Sequence, residues 1–153
     1  PMQALGAPSV VTFNGEIYNF QEHRDRLLAK GVAFRSRSDT EILPHLFRDL
    51  DPGPLSTLNG MFAFAVWRPD LREMLLARDA FGKKPLYIYE DGEFFAFASE
   101  LQAFYALPTQ PAPNVVTADA QVGRACAKPR LTWPTTSLNS PPRTSSPAAE
   151  QAT

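Results

Sequence analysis

Val10-Val11-Thr12-Phe13-Asn14-Gly15-Glu16-Ile17-Tyr18-Asn19 is the stretch on which the fold turns. Val10 to Phe13 have strand character and run into Asn14-Gly15, a pair that favours a sharp reversal. Asn19 stands where a helix N-cap would, with Glu22 three residues on, the spacing of a capping box. The helix this predicts runs through Leu27 and Leu28 and stops at Gly31, a natural left-handed C′ residue. Val32 to Arg35 reads as a brief strand. Ser38-Asp39-Thr40-Glu41 is a second capping box, opening a helix through Ile42, Leu43, Leu46 and Phe47. Pro44 falls in its first two turns, where a missing N–H does least harm.

The period changes after Leu58-Asn59-Gly60, a second Asn-Gly pair read here as a turn. Met61-Phe62-Ala63-Phe64-Ala65-Val66-Trp67 alternates bulky and small residues, as suits a strand packed on both faces. Arg68-Pro69-Asp70 supplies a turn and Met74 to Ala77 a further strand. Leu86 to Tyr89 and Phe94 to Ala98 flank Asp91-Gly92, a strong hairpin signal. A last helix is expected over Glu100 to Ala106. Helices interleaved with strands, then an antiparallel meander, indicate an α+β or layered arrangement and not a regular βαβ repeat.

The composition sets the outer limits. The 153 residues suit one domain with one modest core. They are 44% hydrophobic and 20% charged, with a net charge of −1 and a pI near 6.2. No basic stripe argues for nucleic acid, and no apolar run approaches the roughly 18 to 20 residues of a membrane span. A lone cysteine, Cys126, excludes an internal disulfide and fits a reducing cytoplasm. More than half of the 15 prolines lie beyond Leu107, in a Pro/Ala/Ser/Thr-rich segment with no sustained period. Residues 107–153 are therefore expected to be a disordered tail behind a patterned domain at 1–106.

Several groups have plain structural readings. His23, amid Glu22, Arg24 and Asp25, reads as a helix-surface residue. His45 has no companion at metal-ligand spacing, so no metal site is expected. Lys83-Lys84 reads as a solvated pair, and Phe62, Phe64 and Trp67 as core.

Five segments taken together resemble the glutaminase domain of the glutamine-hydrolysing asparagine synthases. They are Phe13-Asn14-Gly15-Glu16-Ile17-Tyr18-Asn19, Ser36-Arg37-Ser38-Asp39-Thr40-Glu41, Leu58 to Phe64, Ala77-Arg78-Asp79 with Phe81 to Tyr87, and Phe97-Ala98-Ser99-Glu100-Leu101. Amidotransferases that make glucosamine phosphate or phosphoribosylamine share the Asn-Gly and Ser-Asp-Thr-Glu elements. The Glu-Ile-Tyr-Asn continuation is more typical of the asparagine synthase branch. The resemblance implies an N-terminal-nucleophile hydrolase-like α/β/β/α sandwich, here incomplete, with two antiparallel sheets between helix layers.

It also implies a reaction. In the family a cysteine at residue one, activated by its own α-amino group, attacks the glutamine side-chain amide and expels ammonia. By family match, Asn14 (side-chain amide) and Gly15 (backbone N–H) form the oxyanion hole. Asp39 holds the substrate ammonium, and Glu16 belongs to the same glutamine-contacting set. Each has a plainer reading: Asn14-Gly15 as a hairpin turn, Asp39 as a first-turn acid on a helix dipole, Glu16 as a solvated turn carboxylate.

The family's Met-Cys-Gly-Ile opening, its His-Arg-Gly-Pro-Asp stretch and the arginine for the substrate carboxylate have no counterpart here. The match thus implies a truncated domain whose nucleophile is absent. Cys126, internal and far from any His, is read as an incidental thiol. No Ser-Gly-Gly-x-Asp-Ser loop occurs, so no cofactor is expected in this chain; ATP and Mg belong to the family's synthase domain. That domain would be the partner, with glutamine as substrate and a homodimer as the full-length assembly. Codons for residues 131–137, read in a neighbouring frame, can encode Asp-Leu-Ala-Asp-Tyr-Leu-Thr, a string typical of the family's following segment; an out-of-frame tail is the corresponding expectation. Two other functions stay open: a non-catalytic glutamine- or partner-binding module, and the glutaminase part of an amidotransferase with another acceptor.

Overall fold

The computed structural model describes residues 1–90, 95–106, 116–117 and 123–126. Strand β1 (Met2–Gln3) leads to β2 (Val10–Ile17), and Tyr18-Asn19 turn the chain into helix α1 (Phe20–Ala29). A 3-10 turn at Asp39–Ile42 continues into the short helix α2 (Leu43–Leu46). After a second 3-10 turn (Gly53–Thr57) come β3 (Gly60–Arg68), β4 (Glu73–Arg78), β5 (Tyr87–Glu90) and β6 (Phe95–Ala98). A 3-10 segment (Leu101–Ala106) follows, then β7 (Val116–Thr117) and β8 (Gly123–Cys126). One antiparallel sheet has the order β1-β2-β3-β4-β8, and a second has β6-β5-β7.

The alternation along β3 explains the layers. Phe62, Phe64 and Val66 face a helical layer in which Leu27, Ile42, Leu43 and Phe47 are buried, with Val11 and Ile17 of β2 beside them. The two large rings at the centre, Phe47 and Phe64, lie 5.2 Å apart. Burying such side chains contributes about 1.5–3 kcal/mol each. The small residues between, Ala63 and Ala65, face the second sheet and pack with Leu76, Leu86, Ile88, Phe95 and Phe97. Small side chains there let the two sheets approach. On the outer side of the second sheet Tyr89 meets Phe104 of the 3-10 segment at 6.2 Å. Helices, sheet, sheet and helical turn thus form four layers, the α/β/β/α order expected.

Local readings needed revision at several points. Asn14-Gly15 is not a reversal: both lie inside β2, which pairs with β3 through all eight residues from Val10↔Trp67 to Ile17↔Gly60. Long-range pairing overrides the local turn preference. Gly60 likewise opens β3 instead of sitting in a turn. Val32 to Arg35 form no strand; Phe34 instead sits edge-on to His45 and beneath the Arg24 guanidinium, 4.2 Å from its ring centre. The second predicted helix begins and the last one runs entirely as 3-10 turns.

Within the segment read as a disordered tail, Val116–Thr117 pairs with β5 and Gly123–Cys126 with β4. The rest of 107–153 and the Asp91-Gly92 turn lie outside the described residues, although Glu90↔Phe95 pairing joins β5 and β6 as an antiparallel pair. Among the described residues no helix is long and apolar enough to cross a membrane.

Candidate functional site

Asn14, Gly15 and Glu16 are consecutive on β2, so Asn14 and Glu16 share the face toward the second sheet while Gly15 faces the helices. Asn14 opens onto a cleft of about 360 Å³ between the sheets, whose lining includes Thr12, Phe64, Leu86, Phe97 and Ser99. Its Nδ2 donates to Ser99 Oγ at 3.0 Å. Glu16 lies further along the same face and is exposed.

Gly15 is required by sheet geometry. Phe62 directs its N–H to Asp79 Oδ2 and accepts the Asp79 N–H, both on the β4 side, while the Tyr18 N–H reaches Asn59 O. By alternation, Gly15↔Phe62 and Ile17↔Gly60 are the close, non-hydrogen-bonded pairs of the ladder. A Cβ at Gly15 would stand 2.1 Å from Met61 O, and the backbone there has φ +149°. The same alternation turns the Gly15 N–H away from β3, toward the free side of β2. The Ile17 N–H leaves on that side too, and there it meets Asp39 Oδ2 at 3.0 Å. Gly15 N–H and the Asp39 carboxylate therefore emerge along one strand edge, about 7 Å apart.

Asp39 is half-buried, and its second oxygen is held by the hydroxyls of Ser38 (3.4 Å) and Thr40 (3.3 Å). Ser38 caps the turn, accepting from Thr40 N at 3.2 Å. The other half of the expected capping box is missing. Glu41 is buried and turns to the preceding loop, accepting the Arg35 and Ser36 N–H groups, each at 2.8 Å, and the Ser36 hydroxyl at 2.6 Å. Burial would raise its carboxyl, but these donors outweigh burial and hold it below the usual range. Glu41 thereby shapes the loop that delivers Asp39.

Asp79 does the same on the other side of β3. Its buried carboxylate takes four backbone N–H groups: Phe62 (3.2 Å), Phe81 (3.1 Å), Lys83 (3.0 Å) and Lys84 (3.1 Å). Against burial, which would raise it, these donors keep its pKa low. Arg78 completes the loop from the opposite polarity, donating to Lys84 O and Gly82 O, both at 2.6 Å. The Lys83-Lys84 stretch is structural through its main chain.

His23, expected on the helix surface, is buried at 3% exposure, with Nε2 3.2 Å from Thr57 O and 3.3 Å from Asn19 Nδ2. Asn19 makes no cap hydrogen bond; it ties α1 to the start of β3 through Thr57 O (2.9 Å) and Asn59 N (2.8 Å). The sequence signal for this was the Asn19/Asn59 pair, legible only once β2 and β3 are known to be neighbours. Among the described residues no three His, Cys, Asp or Glu side chains gather as a metal site. Cys126 pairs with Glu73, five residues along β4 from Arg78, which is in register with Ala63 and Asn14. Strand spacings put its backbone roughly 20 Å from Asn14.

Residues 1–106 match the family described as the glutamine amidotransferase domain. Asparagine synthetase [glutamine-hydrolyzing] 3 of Bacillus subtilis is 39% identical over 103 residues, 67% of this chain and 17% of that protein. Asparagine synthetase [glutamine-hydrolyzing] 1 of the same organism is 46% identical over 90 residues, 59% of this chain and 14% of its own length. The chain thus spans less than a fifth of the curated relatives it matches. Among solved structures, the glutamine phosphoribosylpyrophosphate amidotransferase of B. subtilis superposes with a TM-score of 0.57 at 27% identity, covering 77% of this chain and 25% of that one. An allosteric regulatory enzyme of purine biosynthesis gives 0.56 at 32% identity, with coverages of 63% and 22%. The fold is that of the N-terminal-nucleophile hydrolase-like amidotransferases. With residues 1–106 matched from end to end and the sheets in place, the chain belongs to the glutamine amidotransferase domain family.

Proposed function

We propose that this chain forms the amide-binding wall of a glutaminase site in an asparagine synthase-type enzyme. Asn14 Nδ2–H and the Gly15 N–H are the oxyanion donors, Asp39 pairs with the substrate α-ammonium, and Glu16 borders the bound glutamine. The observation that carries this is the common edge of β2, where the Gly15 N–H and the Asp39 carboxylate emerge about 7 Å apart. That is a separation the side chain of one glutamine spans. Asn14 approaches the same place from the cleft face.

The chemistry runs as acyl transfer. A thiolate adds to the glutamine amide carbon, and the oxygen takes up negative charge that Asn14 and Gly15 neutralise. The C–N bond then breaks, and ammonia leaves with the proton that the nucleophile's α-amino group took from the thiol. Water cleaves the thioester to glutamate and restores the thiol. The distance from Cys126 to Asn14 argues against that cysteine, so the thiol comes from a segment other than those described. Ammonia passes to a synthase half that amidates aspartate. ATP and Mg are assigned to that synthase half, because the pyrophosphate loop that would hold them has no counterpart in this sequence. We place the protein in the cytoplasm, where its single thiol stays reduced.

The test is a transplant. Residues 8–106 replace the matched segment of B. subtilis asparagine synthetase 1, and glutamate release from glutamine is measured alongside synthesis supported by free ammonium. The expected result is a glutaminase that Asn14→Ala lowers by about 10²-fold or more and Asp39→Asn weakens through KM, with ammonium-supported synthesis intact. Absence of glutamine hydrolysis by a folded chimera that still uses ammonium would leave a non-catalytic binding module as the better reading.

A further inference from the structure

Ser99 belongs to the Phe97-Ala98-Ser99-Glu100-Leu101 motif, and none of the roles above uses it. It follows β6 directly, in the second sheet, while Asn14 lies in the first. Their hydrogen bond crosses the cleft between residues 85 positions apart. The surrounding walls are largely apolar, formed by Phe13, Ala63, Phe64, Leu86 and Phe97. A primary amide left to rotate in such a place lacks a fixed orientation and leaves donors unsatisfied.

We infer that Ser99 is the positioning residue for Asn14: its hydroxyl accepts one amide N–H and so aims the other donor at the developing oxyanion. This rests on the glutaminase reading of Asn14. The physical reason is preorganisation. A carboxamide carries two N–H donors, and anchoring one fixes the plane in which the second points. An oxyanion donor acts through such fixed placement, because no reorganisation is then needed as charge develops. A serine suffices because it needs only a short arm from the end of β6 to the β2 face. Ala at 99 removes the anchor without filling the cleft, and Thr retains the hydroxyl.

Two measurements test it. In the full chain labelled with 15N, the Asn14 side-chain amide pair is assigned by its loss in Asn14→Asp, and its solvent exchange is followed by NMR. Ser99→Ala should speed exchange of that amide about fivefold, the factor for one neutral hydrogen bond. Backbone amides of β2 should stay in place, and Ser99→Thr should restore protection. In the transplanted enzyme, Ser99→Ala should lower kcat about tenfold, less than loss of the donor itself, with little change in KM and with recovery in Ser99→Thr. Unchanged Asn14 exchange in Ser99→Ala overturns the proposal, as does a kcat loss that Thr does not recover. A transplant with no glutaminase activity in its unsubstituted form overturns the glutaminase reading instead, while the NMR result still decides whether Ser99 anchors Asn14.

Discussion

Gly15 and Gly60 occupy the two close pairs that end the β2–β3 ladder, and each leaves space for the other strand's main chain. A Cβ at Gly15 would lie 2.1 Å from Met61 O; one at Gly60 would lie 2.2 Å from Glu16 O. Both contacts are with backbone, so no side-chain movement relieves them. Gly15→Ala and Gly60→Ala should each cost about 2–4 kcal/mol, read as a lower urea midpoint with an unchanged slope. Gly15→Ala should be the more severe, since its positive φ adds strain. The control is Gly31→Ala, which also has a positive φ but meets nothing within 4 Å. It should cost only about 1 kcal/mol.

Asp79→Asn should destabilise by about 2–4 kcal/mol. The substituted amide turns one of its two positions from acceptor to donor, against N–H groups that already point at it. Amide exchange should rise at Phe81, Lys83 and Lys84, the loop the carboxylate organises. A midpoint within error of the unsubstituted chain would count against the anchoring role given to this residue.

Acid sensitivity follows from the same carboxylates. Asp79 and Glu41 both have folded-state pKa values below their ordinary ones, with backbone donors overcoming burial. Between the folded value and the ordinary one the unfolded chain binds more protons, so stability rises with pH there. Their contribution is full above roughly pH 4.5 and is lost as pH falls through the depressed values. Urea titrations across that range should show the loss. Glu41→Gln and Asp79→Asn should flatten it while lowering stability near neutrality.

His45 produces a second, higher step. Burial lowers its pKa, Glu41 opposes the shift and Arg48 adds to it; Nε2 is buried and has no hydrogen-bond partner among the described residues. The unfolded chain again binds more protons below about pH 6.5, so the stability tied to neutral His45 is complete above that pH and declines below it. His45→Phe should remove this step in urea midpoints measured between pH 7 and 5. Persistence of the step in that variant would assign it to another group.

The sequence was legible where its signal is periodic. β3 declares itself through alternating Phe and Ala, and Asn19 and Gly31 mark the two ends of α1 correctly, although Asn19 makes no capping bond. It misled where distant partners decide. Asn14-Gly15 has strong local turn preference, yet β3, more than 40 residues away, converts it to strand. Asp39 was legible as an acid in the first turn of a helical segment, but its contact with the Ile17 N–H required β2 to be straight. Glu41 and Asp79 act on loop N–H groups, which leave no periodic trace in the chain. His23 looked exposed amid charges because nothing near it in sequence announces Thr57.

The loop after β4 is gripped from both ends of its dipoles: Asp79 gathers its N–H groups, and Arg78 gathers its carbonyls. Its path is thus dictated by two residues at its root, not by the side chains it displays. The Phe81 ring, at 88% exposure, takes no part in that path; only its N–H does, through Asp79. The loop is in effect a rigid bracket with an interchangeable face: residues 80, 81 and 83 can diverge freely while the backbone they ride on stays where it is.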